Sequence, residues 1–370
     1  MRLSTSSSER VAVAESSVPG AAAKNFFPSA LGLLALVLAV PLLAGHEIGR
    51  HYRPQPLAPS AAQVDAADRF VSLFGNSRFD AGIDPLALKH QLSSGTVVDV
   101  VAYIGGGWDA LHFLNLAMLQ KDVLRPDRDV VLIEVSPLSL NDADVNNRMG
   151  VIRPEAANAV ATLPSLPLEM RLDVALGKYV GLYRYRQSVQ SNLLWSKWES
   201  LNRRLEPLLL RLGLVGAARH PKPFELRTAA GRNWVIEGIV GDRAAFVATN
   251  RPRLEHDVGE LRFGGYKWEG LTRAVTALRA RHIEVYLLEL PMSHWLEGKL
   301  HATPAWRDFR SSVTRLSEQT GAHFLGDWPV GLSDEALYWD EEHMVAATTE
   351  QFTRVLGDRL AALRPAQDVR

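Results

Sequence analysis

The chain has 370 residues, enough for one large domain or two small ones, and its 47% hydrophobic and 22% charged residues are those of a globular protein. Lys plus Arg and Asp plus Glu number 41 each, so the formal net charge is zero and there is no basic footprint for nucleic acid. The absence of cysteine excludes disulfides, thiolate catalysis, cysteine-based zinc sites and lipoprotein acylation, and it fits an oxidising compartment.

Residues 1–25, rich in Ser, Ala and Val without periodicity, read as a disordered cytoplasmic tail. The segment 26–46 contains FFPSALGLLALVLAVPLLAG, an uncharged run whose helical length of about 30 Å matches a bilayer core. It reads as a transmembrane anchor. A buried core helix is expected to show a polar face, and a cleaved signal peptide a shorter apolar run with a small-x-small site. Arg10 and Lys24 before it balance Arg50 and Arg53 after it, so charge alone does not orient the span. Residues 47–66, with three prolines between His51 and Ala62, read as a linker.

From residue 67 to 365 strands and helices alternate. Strands are expected at Arg69–Phe74, Val97–Ile104, Asp129–Val135, Ile283–Leu290 and His323–Leu325. Helices are expected at Pro85–Gln91, where Asp84 offers an N-cap, and at Trp108–Gln120, Trp268–Arg281, Trp306–Thr320 and Ala346–Leu363. Only helical material is legible over about 154–218, which reads as an insertion. Such alternation predicts an α/β fold of flavodoxin-like, three-layer type: a parallel sheet with helices on both faces and ligands beyond the carboxyl ends of the strands.

The loops at that edge hold the chemistry. Ser77 follows the first strand and a Gly-Asn pair, where backbone N–H groups are available to an oxyanion. Gly-Asn is also an ordinary turn, and the tripeptide alone is weak. Asp340-Glu341-Glu342-His343 precedes the last helix and offers a base and its orienting acid from one loop. Asp109 and His112 have the same spacing but fall inside a helix after the Gly105–Gly107 loop, and read as a decoy.

Taken together, Gly75-Asn76-Ser77, the Gly-rich loop and Asp340-x-x-His343 resemble the SGNH (GDSL-like) hydrolase superfamily. The stretch FGNSRFDAGIDP from Phe74 to Pro85 is similar to its membrane-anchored envelope branch, which includes proteins of polysaccharide O-acetylation and teichoic-acid D-alanylation. The resemblance covers about Arg69 to Leu363. It implies Ser77 as nucleophile, His343 as base and Asp340 as its orienter, with an oxyanion hole from the N–H groups of Ser77 and of Gly106 or Gly107. The family's middle Asp is Asn76 here. Its third-block Gly-x-Asn-Asp is missing from Ser136-Pro137-Leu138-Ser139-Leu140-Asn141-Asp142, leaving Asn141 as a substitute donor. The Asp-x-His-Trp of alginate acetylation enzymes is absent, and Met292-Ser293-His294-Trp295 matches it only in half.

Nine tryptophans are a high count; Trp108, Trp295 and Trp339 sit near strand ends, where flat rings can stack on sugars or simply anchor the core. The expectation is an O-acyltransferase, single-pass in a bacterial plasma membrane with its catalytic domain periplasmic, acting on a cell-envelope or secreted polysaccharide. A membrane-bound acyl-donor protein is the expected partner, and no cofactor or metal is called for. An esterase with the same triad and a non-catalytic scaffold of a modification complex are the alternatives.

Overall fold

The computed structural model describes residues 57–105, 107–143, 152–180, 224–228 and 236–363. The tail, the apolar segment 26–46, half of the linker and the larger part of the insertion lie outside these residues. Among the described residues no helix is long and apolar enough to cross a membrane.

Strand β1 (Arg69–Gly75) leads to the short helix α2 (Ser77–Gly82), which follows α1 (Ala61–Asp65) in the chain. Next come α3 (Pro85–Leu92), β2 (Val98–Ile104), α4 (Ala110–Gln120) and β3 (Val130–Glu134). The insertion contributes α5 (Pro154–Ala161) and α6 (Leu168–Tyr179), then β4 (Phe224–Thr228), β5 (Ile236–Gly241) and α7 (Arg243–Gly259). The chain closes with α8 (Tyr266–Arg279), β6 (Glu284–Leu288), α9 (His294–His301), α10 (Pro304–Thr320), β7 (His323–Leu325) and α11 (Ala346–Ala362).

Five strands form one sheet in the order β2-β1-β3-β6-β7, every pair parallel. With the antiparallel hairpin β4–β5 set aside, this is the doubly wound 2-1-3-4-5 order. Alternation along each strand splits the core in two, because successive side chains point to opposite faces. Phe70, Phe74, Val131, Ile133, Val285 and Leu287 pack under α4, α5, α8 and α10. Val71, Leu73, Val130, Leu132, Tyr286 and Leu288 pack against α3 and α11 on the other face. The expected three layers are therefore present.

Local signals account for most boundaries. Asp84 caps α3 through Leu86 and Ala87 N–H with Pro85 at its first turn, and α10 ends on Gly321 at φ +72°, a left-handed conformation that favours glycine. Two departures concern the insertion and the segments C-terminal to it. The hairpin β4–β5 and the 17-residue helix α7 were not legible in the sequence. Pro252 inside α7 removes a backbone donor, which argues against a helix in any local reading. His294 of the half-matched Met292–Trp295 stretch opens α9, whose N-cap is Ser293.

Candidate active site

The strand order puts the loops after β1, β2 and β3 side by side. Gly75 closes β1 so tightly that a Cβ there would lie 2.3 Å from the Phe79 side chain, so only glycine lets α2 turn back at once. Asn76 caps α2 by accepting from Arg78 N–H at 2.9 Å, which leaves Ser77 as the first helical residue.

A buried carboxylate fixes this turn. Glu134, the last residue of β3, accepts Asn76 N–H at 3.0 Å and Arg78 at 2.6 Å, and Arg78 also donates to Ser136 Oγ. Arg78 and Glu134 are both buried, so neither is stable there without the other. Sequence reasoning missed this pair. Its signal was a single carboxylate closing an otherwise apolar strand, which must find a partner inside.

Ser77 and His343, 266 positions apart, meet at this edge: His343 Nε2 lies 2.9 Å from Ser77 Oγ. His343 Nδ1 lies 2.8 Å and 3.0 Å from the two carboxylate oxygens of Asp340. Asp340 Oδ1 also accepts the backbone N–H groups of His343 and Glu342, at 2.8 and 3.1 Å, so the acid is fixed before it orients the ring. Asp340 and His343 are buried, and Ser77 is half-buried. Burial disfavours the imidazolium, but the Asp340 charge and hydrogen bond outweigh it, and the His343 pKa stands above its ordinary 6.5. Among the described residues Asp340, Glu342 and His343 have donor atoms close enough together for a metal ion. These donors are already engaged: Asp340 and His343 with each other, and Glu342 with Arg253 at 3.0 Å.

A cleft of about 800 Å³ opens over Ser77 and His343, with Gly107, Trp108, Asn141, Arg253, His256 and Glu260 among the residues that line it. Gly107, at φ +72°, and Asn141 line the same cleft as Ser77; Gly106 lies outside the described residues. The Asn141 side-chain oxygen accepts from Ala143 N–H at 3.0 Å and Arg262 N–H at 2.9 Å, so its NH2 group is the end left to donate. Neighbouring Asp142 accepts Gly265 and Lys267 N–H, at 2.7 and 2.9 Å, and ties this segment to the start of α8.

The three tryptophans separate. Trp108 lines the cleft. Trp339 is 5% exposed, with the Phe246 and His343 rings stacked on it at centroid distances of 5.4 and 5.0 Å, so its ring is covered by protein. It backs the imidazole and is not open to a sugar ring, so of the two readings of this tryptophan the structure keeps the core anchor. Trp295 is not among the cleft-lining residues described, and Arg251 and Lys299 lie over its ring at 4.8 and 5.6 Å. Helix α7, which the sequence did not disclose, supplies Phe246 against one ring and Arg251 over the other.

Asp109 and His112 also have a clear place. Asp109 caps α4, and His112 at the third position reaches back to complete a capping box. The pair lies 2.9 Å apart, buried, with the Trp108 ring stacked on His112. It does not enter the Ser77 contact.

No protein-family model and no curated protein matches the sequence. Among solved structures the chain is similar to a "putative acylhydrolase" from Bacteroides fragilis, at 9% identity and a TM-score of 0.32, covering 79% of this chain and 88% of that one. It is also similar to the lipase/acylhydrolase from Enterococcus faecalis, at 12% identity and a TM-score of 0.33, covering 81% of this chain and 100% of that one. At these TM-scores the likeness carries no functional weight, and the site is read from its own geometry.

Proposed function

We propose that the protein is a serine acyl-ester enzyme of SGNH type, in which Ser77 is acylated and the acyl group passes to a hydroxyl of a cell-envelope or secreted polysaccharide. One observation carries this reading: the contact of Ser77 Oγ with an imidazole whose other nitrogen is held by a buried carboxylate. Ser77 Oγ attacks the ester carbonyl while His343 takes its proton. The tetrahedral oxyanion is met by the N–H groups of Ser77 and the Gly-rich loop and by the Asn141 amide. Collapse expels the first alcohol, which recovers the proton from His343. The acceptor hydroxyl then attacks the acyl-serine with His343 again as base, and water in its place gives hydrolysis.

The cleft supports a short acyl group and a hydrophilic acceptor. The wall provided by Arg253, His256, Asp257, Glu260 and Arg262 is charged, whereas a long acyl chain needs an apolar channel. Membrane anchoring through 26–46 and a periplasmic catalytic domain belong to the same reading, as does a membrane-bound acyl-donor protein. Such an anchor would hold the site beside its acyl donor.

The test is turnover of a short-chain aryl acetate by the full-length protein, with and without an oligosaccharide acceptor. Acetylated acceptor that disappears in Ser77→Ala is the expected result. Acetate release that no acceptor diverts would make the protein an esterase. Turnover unchanged in Ser77→Ala would remove the serine reading.

A further inference from the structure

Asp340 and His343 belong to a loop without regular structure, whose two ends are pinned to each other by an isolated antiparallel bridge between Tyr338 and Met344. Between them stands Glu341 at φ +76°, a left-handed conformation that a non-glycine residue keeps only where its surroundings impose it. Its carboxylate is 2% exposed. Oε1 accepts from Arg251 Nε at 2.9 Å and lies 2.7 Å from Arg251 Nη2, while Oε2 is buried with no hydrogen-bond partner. Arg251 is thus the neutralising charge for a buried anion inside the Asp340–His343 turn.

Arg251 is also held from outside. Its Nη2 donates to Glu335 Oε2 at 2.8 Å across the same loop, and the guanidinium lies over Trp295. All this comes from α7, whose Arg243 donates to the carbonyls of Glu335 and Tyr338, whose Phe246 stacks on Trp339, and whose Arg253 pairs with Glu342. One helix outside the doubly wound core therefore grips the loop at four of the five residues from 338 to 342, Asp340 being the exception.

We infer that Arg251 is a positioning residue for the general base: through Glu341 it imposes the left-handed turn that brings Asp340 and His343 into register with Ser77. The inference rests on the serine reading above. Without Arg251 the Glu341 carboxylate is a buried charge with no counter-ion. The cheapest relief is to swing it to water, which moves the backbone between Asp340 and His343. A displacement of about 1 Å at reacting groups costs on the order of 100-fold in rate.

The experiment uses full-length protein, aryl-acetate kinetics and the rate at which a fluorophosphonate labels Ser77. Wild type is first compared with Ser77→Ala; a wild type inert to both probes removes the serine reading, and this inference with it, before Arg251 is touched. Arg251→Met is then expected to lower kcat and the labelling rate together by about 10- to 100-fold with KM little changed. Arg251→Lys should recover part of that loss, and Glu335→Gln should keep near wild-type kcat. A folded Arg251→Met with wild-type kcat and labelling rate overturns the inference, as does a change confined to KM. If Arg251→Met does not fold, Glu341→Gln decides: it keeps an acceptor for Arg251 but removes the charge. A smaller loss of kcat in that variant supports the positioning role, and none at all overturns it.

Discussion

Two segments of this protein carry Asp-x-x-His, and locally they are nearly the same object. In each the aspartate is buried and accepts the N–H two residues on at 3.1 Å, and its histidine Nδ1 lies within 2.9 Å of a carboxylate oxygen. They part at the second ring nitrogen. His343 Nε2 meets Ser77 Oγ at 2.9 Å, whereas His112 Nε2 is buried without a hydrogen-bond partner under the Trp108 ring. The acids part as well: both oxygens of Asp340 face His343, while Asp109 Oδ2 faces Lys267 at 3.3 Å. The spacing makes an oriented imidazole in both places. A hydroxyl on its far side equips one to act as the base of the proposed reaction, and a capping position leaves the other as part of a helix start.

The largest effects should come from removing what only one segment has. Ser77→Ala and His343→Ala are each expected to lower kcat for aryl-acetate turnover by about 10⁵- to 10⁶-fold, with melting temperature nearly unchanged for Ser77→Ala. A residual rate near wild type in either variant would put the chemistry elsewhere. Asp340→Asn keeps the shape but favours the wrong tautomer of His343, and a loss on the order of 10⁴-fold in kcat is expected.

Acid sensitivity sharpens the contrast next. The base works as neutral imidazole, and His343 titrates above 6.5 because Asp340 outweighs the effect of burial. Activity should therefore be lost as pH falls through that raised value, about tenfold in kcat/KM per pH unit below it, and the inflection should move down in Asp340→Asn. An inflection below 6.5 in the wild type would contradict the Asp340–His343 contact.

The smallest catalytic effect belongs to the other pair. Asp109→Asn should change kcat less than tenfold while lowering stability. Burial alone would raise the Asp109 carboxyl, but His112 and Lys267 hold it down, from 3.8 to about 2. A depressed carboxyl contributes stability that is present above its unfolded value and lost as pH falls through the folded one. That contribution is about 2 kcal/mol, and it should disappear between pH 4 and pH 2 in the wild type but not in Asp109→Asn, as denaturant unfolding would read. A catalytic collapse in Asp109→Asn would mean the two motifs are coupled.

Much of this was legible along the chain because it is written in local patterns. The near-continuous apolar run before Ser136 announced a strand covered on both faces, and Asp84-Pro85 announced the start of a helix. Ser77, Asp340 and His343 could be singled out because the topology of alternating strands and helices sends their loops to one edge. Other features had no local signature. Helix α7 carries Pro252 and depends on Leu254 and Val258, buried against Leu296 and Leu300 of α9, so its stability comes from contacts about 40 residues away. The residues it supplies, Arg251, Arg253 and His256, were missed with it.

The sequence by itself determined the kinds of group available and the period of each element, hence an α/β sheet with a serine, an imidazole and an acid on its loops. Which imidazole met the serine, which tryptophan faced the cleft and which was covered, and what held Glu341 in a left-handed turn were decided only by the tertiary structure. The physical reason is range. Caps and hydrophobic periodicity act over a few residues, whereas the role of a side chain depends on its neighbours within about 3 Å, and two that decide here, Ser77 beside His343 and Arg251 beside Glu341, are 266 and 90 positions away in the chain.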